Sequence, residues 1–493
     1  MQLIGKLNSW NGILFVALLV RLVAVVFSPG YGMHDDHFVI IETASSWSDG
    51  IDNSGWLPWS KQSSGVPQGH SFTYVGLNFF LFKICKLGGI HDPKILMGIN
   101  RFFHALLSLT VVYFGYKITE KISNRESALK AAWILALLWC LPFLSVRNLV
   151  EMACIPFLIS GMWLLLDENR RSYLLAGLLI GIAVSFRYQV AIFAISMAGY
   201  YLFNREYKSF FLFSAGVTII FCLTQGIVDF FIWGYPFAEF LGYSIYNMHE
   251  GTQYLPNSNY FMYFLVLMGI CLFPLGILMM IGFFRSAKLN ALLFIPTLMF
   301  ILFHTFYPNR QERFVLSVLP IFIILGILGL ERLKSYSLWY KIELFSFKIF
   351  WILNVPLLIF TSFTYSKKSR VEAMYALYSN ELTHERILLE GSAETKPSMM
   401  PQFYARSWTC EFTERINPNQ TPLVSEDKQY DYIFFFGEEK LKERKKVYRK
   451  IYPNLSLVKK CEPSVMDLLL RKLNSKNANQ YIEVWATHIR EHD

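Results

Sequence analysis

Residues 11–38 read NGILFVALLVRLVAVVFSPGYGMHDDHF. Asn11 to Ser28 is an apolar run interrupted by Arg21 alone among charged residues. A helix crosses a hydrocarbon core roughly 30 Å thick with about 20 mostly apolar residues, because its backbone groups must be satisfied internally. A short head carrying Lys6 precedes the run and no small-residue cleavage pattern follows it, which reads as an uncleaved signal anchor. The chain then turns abruptly polar: Asp35 and Asp36 sit between His34 and His37, and a helix-like run through Glu42 to Trp47 follows.

The apolar pattern of 11 to 28 recurs near 98 to 117, 129 to 146, 149 to 166, 173 to 186, 188 to 203, 209 to 232, 259 to 284, 290 to 306, 314 to 331 and 348 to 365. The expected fold is an all-α polytopic membrane protein of about eleven transmembrane helices. Composition agrees: 54% of the 493 residues are hydrophobic and 17% charged, against roughly a quarter charged in an average soluble domain. The formal charge of +10 is carried by Lys and Arg between the apolar runs, so membrane topology and not nucleic acid accounts for it. Phe72 to Leu87 is apolar but short and carries Lys83 and Lys86, and is read as interfacial or re-entrant. Cys85, Cys140, Cys154, Cys222 and Cys271 lie in apolar segments, while Cys410 and Cys461 lie in the tail, either as a pair or as two free thiols.

Cytoplasmic loops are rich in Lys and Arg. With the N-terminus inside, the loops holding Lys117, Lys121, Arg125 and Lys130, then Arg170 and Arg171, Arg205 and Lys208, Arg285 and Lys288, and Arg332, Lys334 and Lys341 all fall inside. The opposite loops are acidic or uncharged: 29 to 71 holds Asp35, Asp36, Glu42, Asp49 and Asp52 against Lys61, and 233 to 258 holds no Lys or Arg. The expected domains are a membrane domain over 1–365, with a first outward loop over 29–97, and an extracytoplasmic domain over 366–493. Tyr430 to Phe436 reads as a strand and Glu438 to Lys450 as a helix, enough for a small α/β fold. The sequons at Asn419 and Asn454 in that tail decide nothing.

Chemistry gathers on the outward side. A carboxylate near lipid and aromatic residues has its pKa raised toward that of a useful general base, so Asp35 and Asp36 are candidates; two solvated acids in a loop are the plainer alternative. Arg147, Arg187, Arg310 and Arg313 lie at outer ends of spans, against the charge rule. Arginine at membrane depth costs about 2.5–3.5 kcal/mol on insertion scales, so it is paired or binds an anion, and its planar fork suits phosphate. Internal partners on offer are Glu151, Asp229, Glu239 and Glu312. Charges at one face and dissimilar halves favour an enzyme over a flippase or transporter.

With these motifs in order, the chain resembles the GT-C superfamily of membrane glycosyltransferases, and within it glycosyltransferase family 22, the dolichol-pathway and GPI-anchor α-mannosyltransferases. Met33 to Phe38 with Glu42 stands where that family carries His-Pro-Asp-Glu and a later Glu; here the proline is missing and the acids are Asp-Asp. Aligning on Glu42 makes Asp35 the catalytic aspartate, and aligning on His34 chooses Asp36. Arg147, Asn148 and Glu151 resemble an Arg, Asn and Glu pattern opening a span, and Gly181 to Arg187 the end of the fifth. Asp229 to Gly234 and Phe240 to Asn247 resemble an outward loop. Asn309 to Phe314 with Pro320 resembles His-Lys-Glu-x-Arg-Phe and its downstream Pro, with Asn309 for His and Arg310 for Lys. Met399 to Trp408 resembles the outward C-terminal domain faintly.

The resemblance implies an inverting transferase, chiefly a mannosyltransferase, that takes sugar from a polyprenyl-phosphate donor and passes it to a lipid-linked glycan at the outer or lumenal face. The membrane is a bacterial plasma membrane or the endoplasmic reticulum. Asp35 would be the base, with Asp36 the alternative; Arg310, Arg313 and Arg187 would stabilise the leaving phosphate, and no metal or other cofactor is demanded. His34, His37, Glu42, Arg147, Asn148, Glu151 and Asn247 would bind or orient substrate. Trp47, Trp56 and Trp59 read as interfacial anchors or sugar-stacking platforms. Transfer of another sugar to a different acceptor is the second reading.

Overall fold

The computed structural model describes residues 9–167, 169–249, 260–333, 337–379, 384–392, 394–415, 429–474 and 479–488. The chain divides into two compact units, each gathered from separated stretches. One comprises Met1–Val25, Gly55–Leu77 and Arg101–Phe363, the other Val26–Ser54, Asn78–Asn100 and Thr364–Asp493.

The first unit is helical. Trp10–Phe27, Pro93–Ile122, Tyr207–Trp233, Glu312–Glu331 and Ser337–Ser362 contribute helices long and apolar enough to cross a membrane, and Val150–Leu165, Tyr188–Phe203, Leu275–Ser286 and Ala291–Phe306 are shorter apolar helices. Small residues let backbones meet, as membrane helices require in the absence of a hydrophobic drive between them. A Cβ on Gly282 would stand 2.1 Å from the Gly326 carbonyl oxygen, and one on Gly177 2.2 Å from that of Phe213.

Several expected spans are broken. The run 129 to 146 forms two helices, Arg125–Leu137 and Leu141–Ser145. In a membrane the carbonyls freed at such a break need partners, and distant side chains supply them. Arg21, buried in the first helix, donates to the Leu135 and Ala136 carbonyls at 3.3 and 3.1 Å and to Ser108 Oγ at 2.8 Å. Asn354 Nδ2 donates to the Leu137 carbonyl at 2.7 Å while its Oδ1 accepts from Trp139 N at 2.8 Å. Likewise 259 to 284 becomes Met262–Ile270 and Leu275–Ser286, and 209 to 232 carries a π-helical turn at Cys222–Ile227.

The second unit contains a five-stranded sheet: β1 (Arg386–Glu390), β2 (Glu411–Arg415), β3 (Tyr432–Phe436), β4 (Ser456–Cys461) and β5 (Ile482–Ala486), in the order β2-β1-β3-β5-β4. β1 pairs parallel with β2 and β3, and β5 pairs antiparallel with β3 and β4. The strand expected at 430 to 436 is β3, buried on both faces as a central strand should be, and the helix expected after it is Leu441–Ile451. Ile433, Phe435, Tyr448, Tyr452, Leu455 and Trp485 form the core between them. Cys410 and Cys461 are both free thiols. Asn454 lies in an exposed turn, and the sequon at Asn419 falls outside the described residues.

The first outward loop belongs to this unit through Val26–Ser54. Pro29 O accepts from Ser366 N at 3.0 Å, and Gly30 pairs with Ser366 in a parallel bridge. From helix Phe72–Leu87, Lys86 Nζ reaches Asp49 at 2.8 Å and Ser48 Oγ at 2.7 Å, and Lys83 Nζ donates to the Ser48 carbonyl at 3.0 Å. The two lysines that set this apolar helix apart in the sequence therefore anchor the end of the acidic loop.

Candidate functional site

In the second unit, the acid pair opens a π-helical turn, Asp36–Glu42, which runs into helix Thr43–Ser48. The turn separates the two aspartates. Asp35 has a side chain 64% exposed, with His34 Nδ1 3.9 Å from its Oδ1, whereas Asp36 is 3% exposed. Of the two, Asp35 is the carboxylate that a substrate in solvent can reach.

His37 and Glu42, both expected to meet substrate, face protein. The His37 ring stacks between Tyr31 at 4.3 Å and Tyr404 at 5.6 Å, and neither ring nitrogen has a hydrogen-bond partner among the described residues. Its Nε2 stands 3.7 Å from Glu42 Oε1. Burial pushes His37 down to about 3 and Glu42 up to about 8, so near neutral pH the contact joins two uncharged groups. Glu42 accepts from Phe403 N at 3.1 Å. Two turns on, Asp49 accepts from Arg406 at 3.2 Å and from Trp408 Nε1 at 2.9 Å; against the burial that raises it, Lys86, the Trp408 N–H and Arg406 hold it below the usual carboxylate range. The segment Met399 to Trp408, only faintly marked in the sequence, thus braces the acidic loop.

In the first unit, helix Arg170–Phe186 ends where Arg187 turns extended. A polar network holds that break: Tyr188 OH donates to Gln225 Oε1 at 2.6 Å, Gln225 Nε2 donates to Ser71 Oγ and Thr73 Oγ1, each at 2.9 Å, and Ser71 Oγ donates to the Ser185 carbonyl at 2.5 Å. Arg187 NH1 donates to Ser317 Oγ at 2.6 Å, and its NH2 lies 3.7 Å from Glu151 Oε1. Arg313 Nε lies 3.8 Å from the same oxygen and donates to Gln311 Oε1 at 2.8 Å. Glu151 Oε1 thus lies within ion-pair distance of two guanidiniums in a buried place. Arg187 NH2 and Glu151 Oε2 have no hydrogen-bond partner among the described residues.

The other expected residues stand around these in smaller groups. Arg147 is buried over the Phe143 ring at 4.3 Å. Asn148 Oδ1 accepts from Tyr74 OH at 2.9 Å. Tyr307 OH donates to the Asn247 carbonyl at 2.8 Å, and the Tyr307 carbonyl accepts from Arg310 Nε at 3.3 Å, which links those two positions. Arg310 also lies over Tyr260 at 4.7 Å. Tyr74, Tyr307, Ser317 and Gln225 were not legible as site residues, since neutral side chains in apolar runs carry no charge signal. Trp56 is buried against His70 and Trp47 donates to Asp52 at 2.9 Å, while Trp59 is exposed.

The profile of the Alg9-like mannosyltransferase family matches residues 13–389. The chain belongs to this family. It is accordingly an integral membrane glycosyltransferase with the GT-C fold. No protein of curated function matches it in sequence. Among solved structures, ArnT from Cupriavidus metallidurans in the apo state is similar over 97% of each chain at 10% identity, with a TM-score of 0.62. The same protein bound to undecaprenyl phosphate is similar over 97% of this chain and 98% of its own at 11% identity, TM-score 0.63. The oligosaccharyltransferase AglB of Archaeoglobus fulgidus, in complex with an inhibitory peptide and a dolichol-phosphate, is similar over 87% of this chain and 70% of its own at 11% identity, TM-score 0.51. In this Alg9-like chain both the acid turn and the Arg187–Glu151–Arg313 cluster lie inside the matched range.

Proposed function

We propose that this protein transfers mannose, with inversion, from a polyprenyl-phosphate carrier to a hydroxyl of a lipid-linked glycan at the outer or lumenal face. The observation that carries the reading is an accessible Asp35 directly after the first span of an Alg9-like chain. Inversion is one in-line displacement, so one carboxylate removes the acceptor proton as the hydroxyl attacks C1. Asp35 takes that proton, and the phosphate leaves with the electrons of the C1–O bond.

The leaving phosphate gains charge as the bond breaks and needs preorganised cations near its oxygens. Arg187 and Arg313 offer them, with Arg310 beside. Arg187 and Arg313 both lie within 4 Å of the same Glu151 oxygen, which holds the two guanidiniums close together where a phosphate could meet both. The positive-inside pattern of the loops supports an outward position for the acid turn, since the loop that holds it carries five acids against Lys61 alone. The ligands of the similar structures, undecaprenyl phosphate in ArnT and a dolichol-phosphate in AglB, support a lipid-phosphate donor. Transfer of a different sugar to another acceptor is the second reading, since mannose enters through the family's description alone.

The test is transfer of radiolabel from polyprenyl-phosphate mannose by the purified protein in detergent. Asp35→Ala is expected to abolish labelled product. Loss confined to Asp36→Ala would move the base to the buried acid, and product made only from other polyprenyl-phosphate sugars would favour the second reading.

A further inference from the structure

Asp35 stands immediately before the π-helical turn Asp36–Glu42, is itself helical at φ −58 and ψ −46, and makes no side-chain cap hydrogen bond to that turn. An aspartate at such a place ordinarily accepts from an N–H two or three residues on and so fixes the start of the helix. Here it does not, so the start of the turn is fixed from the side. π-helical turns are rare and cluster at functional sites. What holds this one decides where Asp35 is presented.

The second residue of the turn, His37, meets four rings. It stacks on Tyr31 at 4.3 Å with 21° between the planes and on Tyr404 at 5.6 Å with 12°, while Phe38 and Phe403 stand edge-on to it at 5.3 and 6.0 Å. Stacked and edge-to-face pairs are the favourable arrangements of aromatic rings. Phe403 is backed in turn by Phe82 at 5.7 Å, and all of these rings are buried. Two of them, Phe403 and Tyr404, come from the short helix Gln402–Ala405 of the tail. On the other side of Asp35, the His34 ring lies 4.4 Å from Phe38.

The imidazole is used here as a flat plate. Burial keeps it neutral, and among the described residues neither nitrogen has a hydrogen-bond partner. Its faces and edges, by contrast, are fully engaged. The far end of the turn is tied to the same piece of tail, through the Phe403 N–H donated to Glu42 at 3.1 Å. The turn is thus gripped at its start by rings and at its end by a hydrogen bond.

We propose that His37 is a positioning residue that acts through its ring and not its nitrogens: held by Tyr31 and by Tyr404 of the tail, it fixes the π-helical turn and with it the direction in which Asp35 is presented. The positioning of a base rests on the transferase reading; the grip on the turn does not, and the two are measured separately. Full-length wild type, His37→Phe and His37→Asn in detergent are compared by amide hydrogen exchange over residues 36–42 and by transfer kinetics. His37→Asn keeps hydrogen-bonding atoms but has no ring. It is expected to exchange about tenfold faster over the turn, the scale of losing an aromatic pair, and to lower kcat about 10²-fold with both KM values unchanged, the scale for a displaced catalytic group. His37→Phe, a plate without nitrogens, is expected to match wild type in both. Tyr404→Leu, which removes one plate alone, repeats the effect of His37→Asn should that variant fail to fold. A His37→Phe protein with wild-type exchange and lost transfer would return the role to the nitrogens and overturn the proposal. So would wild-type exchange in His37→Asn or Tyr404→Leu, or a loss of kcat that only follows the loss of thermal midpoint. Exchange that meets these expectations in a protein that transfers no sugar would support the grip and remove the transferase reading.

Discussion

Two of the arginines buried in the helical unit, Arg21 and Arg187, are used in opposite ways. Arg21 spends its guanidinium on the carbonyls of Ala17, Leu135 and Ala136 and on Ser108, at 2.8 to 3.3 Å. Arg187 binds Ser317 and the Phe314 carbonyl, shares Glu151 with Arg313, and leaves NH2 without a hydrogen-bond partner among the described residues. The first repairs a broken helix. The second is held in place with donor capacity to spare, which is what an anion site needs before its anion arrives. Burial alone does not separate a structural arginine from a functional one; the count of satisfied donors does.

Replacing Arg187 sharpens the contrast most. Arg187→Gln keeps a polar side chain of similar reach but removes the charge, and is expected to cut transfer about 10²–10³-fold, the scale for losing a preorganised transition-state donor, with little change in the thermal midpoint. Equal losses of midpoint and activity would make Arg187 a second Arg21. Arg21→Leu is expected to do the reverse. It leaves carbonyls at the helix break unpaired, at about 1–3 kcal/mol each, and lowers the unfolding midpoint in detergent, while transfer per folded molecule stays near wild type. An Arg21→Leu protein that melts normally but cannot transfer would break the distinction.

The acids of the other unit divide along the same line, and here the effect expected is on pH dependence. Glu372 is met by Lys459, Lys94 and Tyr365, and these pull it down to about 2. Glu42 is buried beside the neutral His37 and pushed up to about 8. A raised carboxyl pKa means that the folded state holds a proton the unfolded state has released. Stability from Glu42 is therefore complete below its ordinary value of 4.5 and falls as pH rises toward 8. Glu372, depressed, contributes above 4.5 and loses its contribution as pH falls toward 2. Glu42→Gln, which can still accept from the Phe403 amide, is expected to flatten the decline on the alkaline side in a series of thermal melts. A slope unchanged by the substitution would show that Glu42 is ionised in the fold.

Much of this was legible in the sequence for a physical reason: a span must be apolar along its length, and a buried charge in it stands out. Arg147, Glu151, Arg187, Arg310 and Arg313 were visible that way, and Asp35 by its place after the first span. The breaks at 138 to 140 and 271 to 274 were not, because hydropathy is continuous across them and the groups that satisfy the first lie at Arg21 and Asn354. Nor was the fate of His37 and Glu42, which is set by contacts with Phe403 and Tyr404 across more than half the chain. Local pattern identifies which groups are expensive to bury; it does not say which distant residue meets the expense.

The central claim is that the charge arranged here serves a lipid-phosphate leaving group. The direct measurement offers the purified wild-type protein, with a lipid-linked glycan acceptor, either polyprenyl-phosphate mannose or the corresponding nucleotide sugar, each radiolabelled. The account predicts labelled lipid-linked product from the polyprenyl-phosphate donor alone. Product from the nucleotide sugar, with none from the lipid-phosphate sugar, would contradict it.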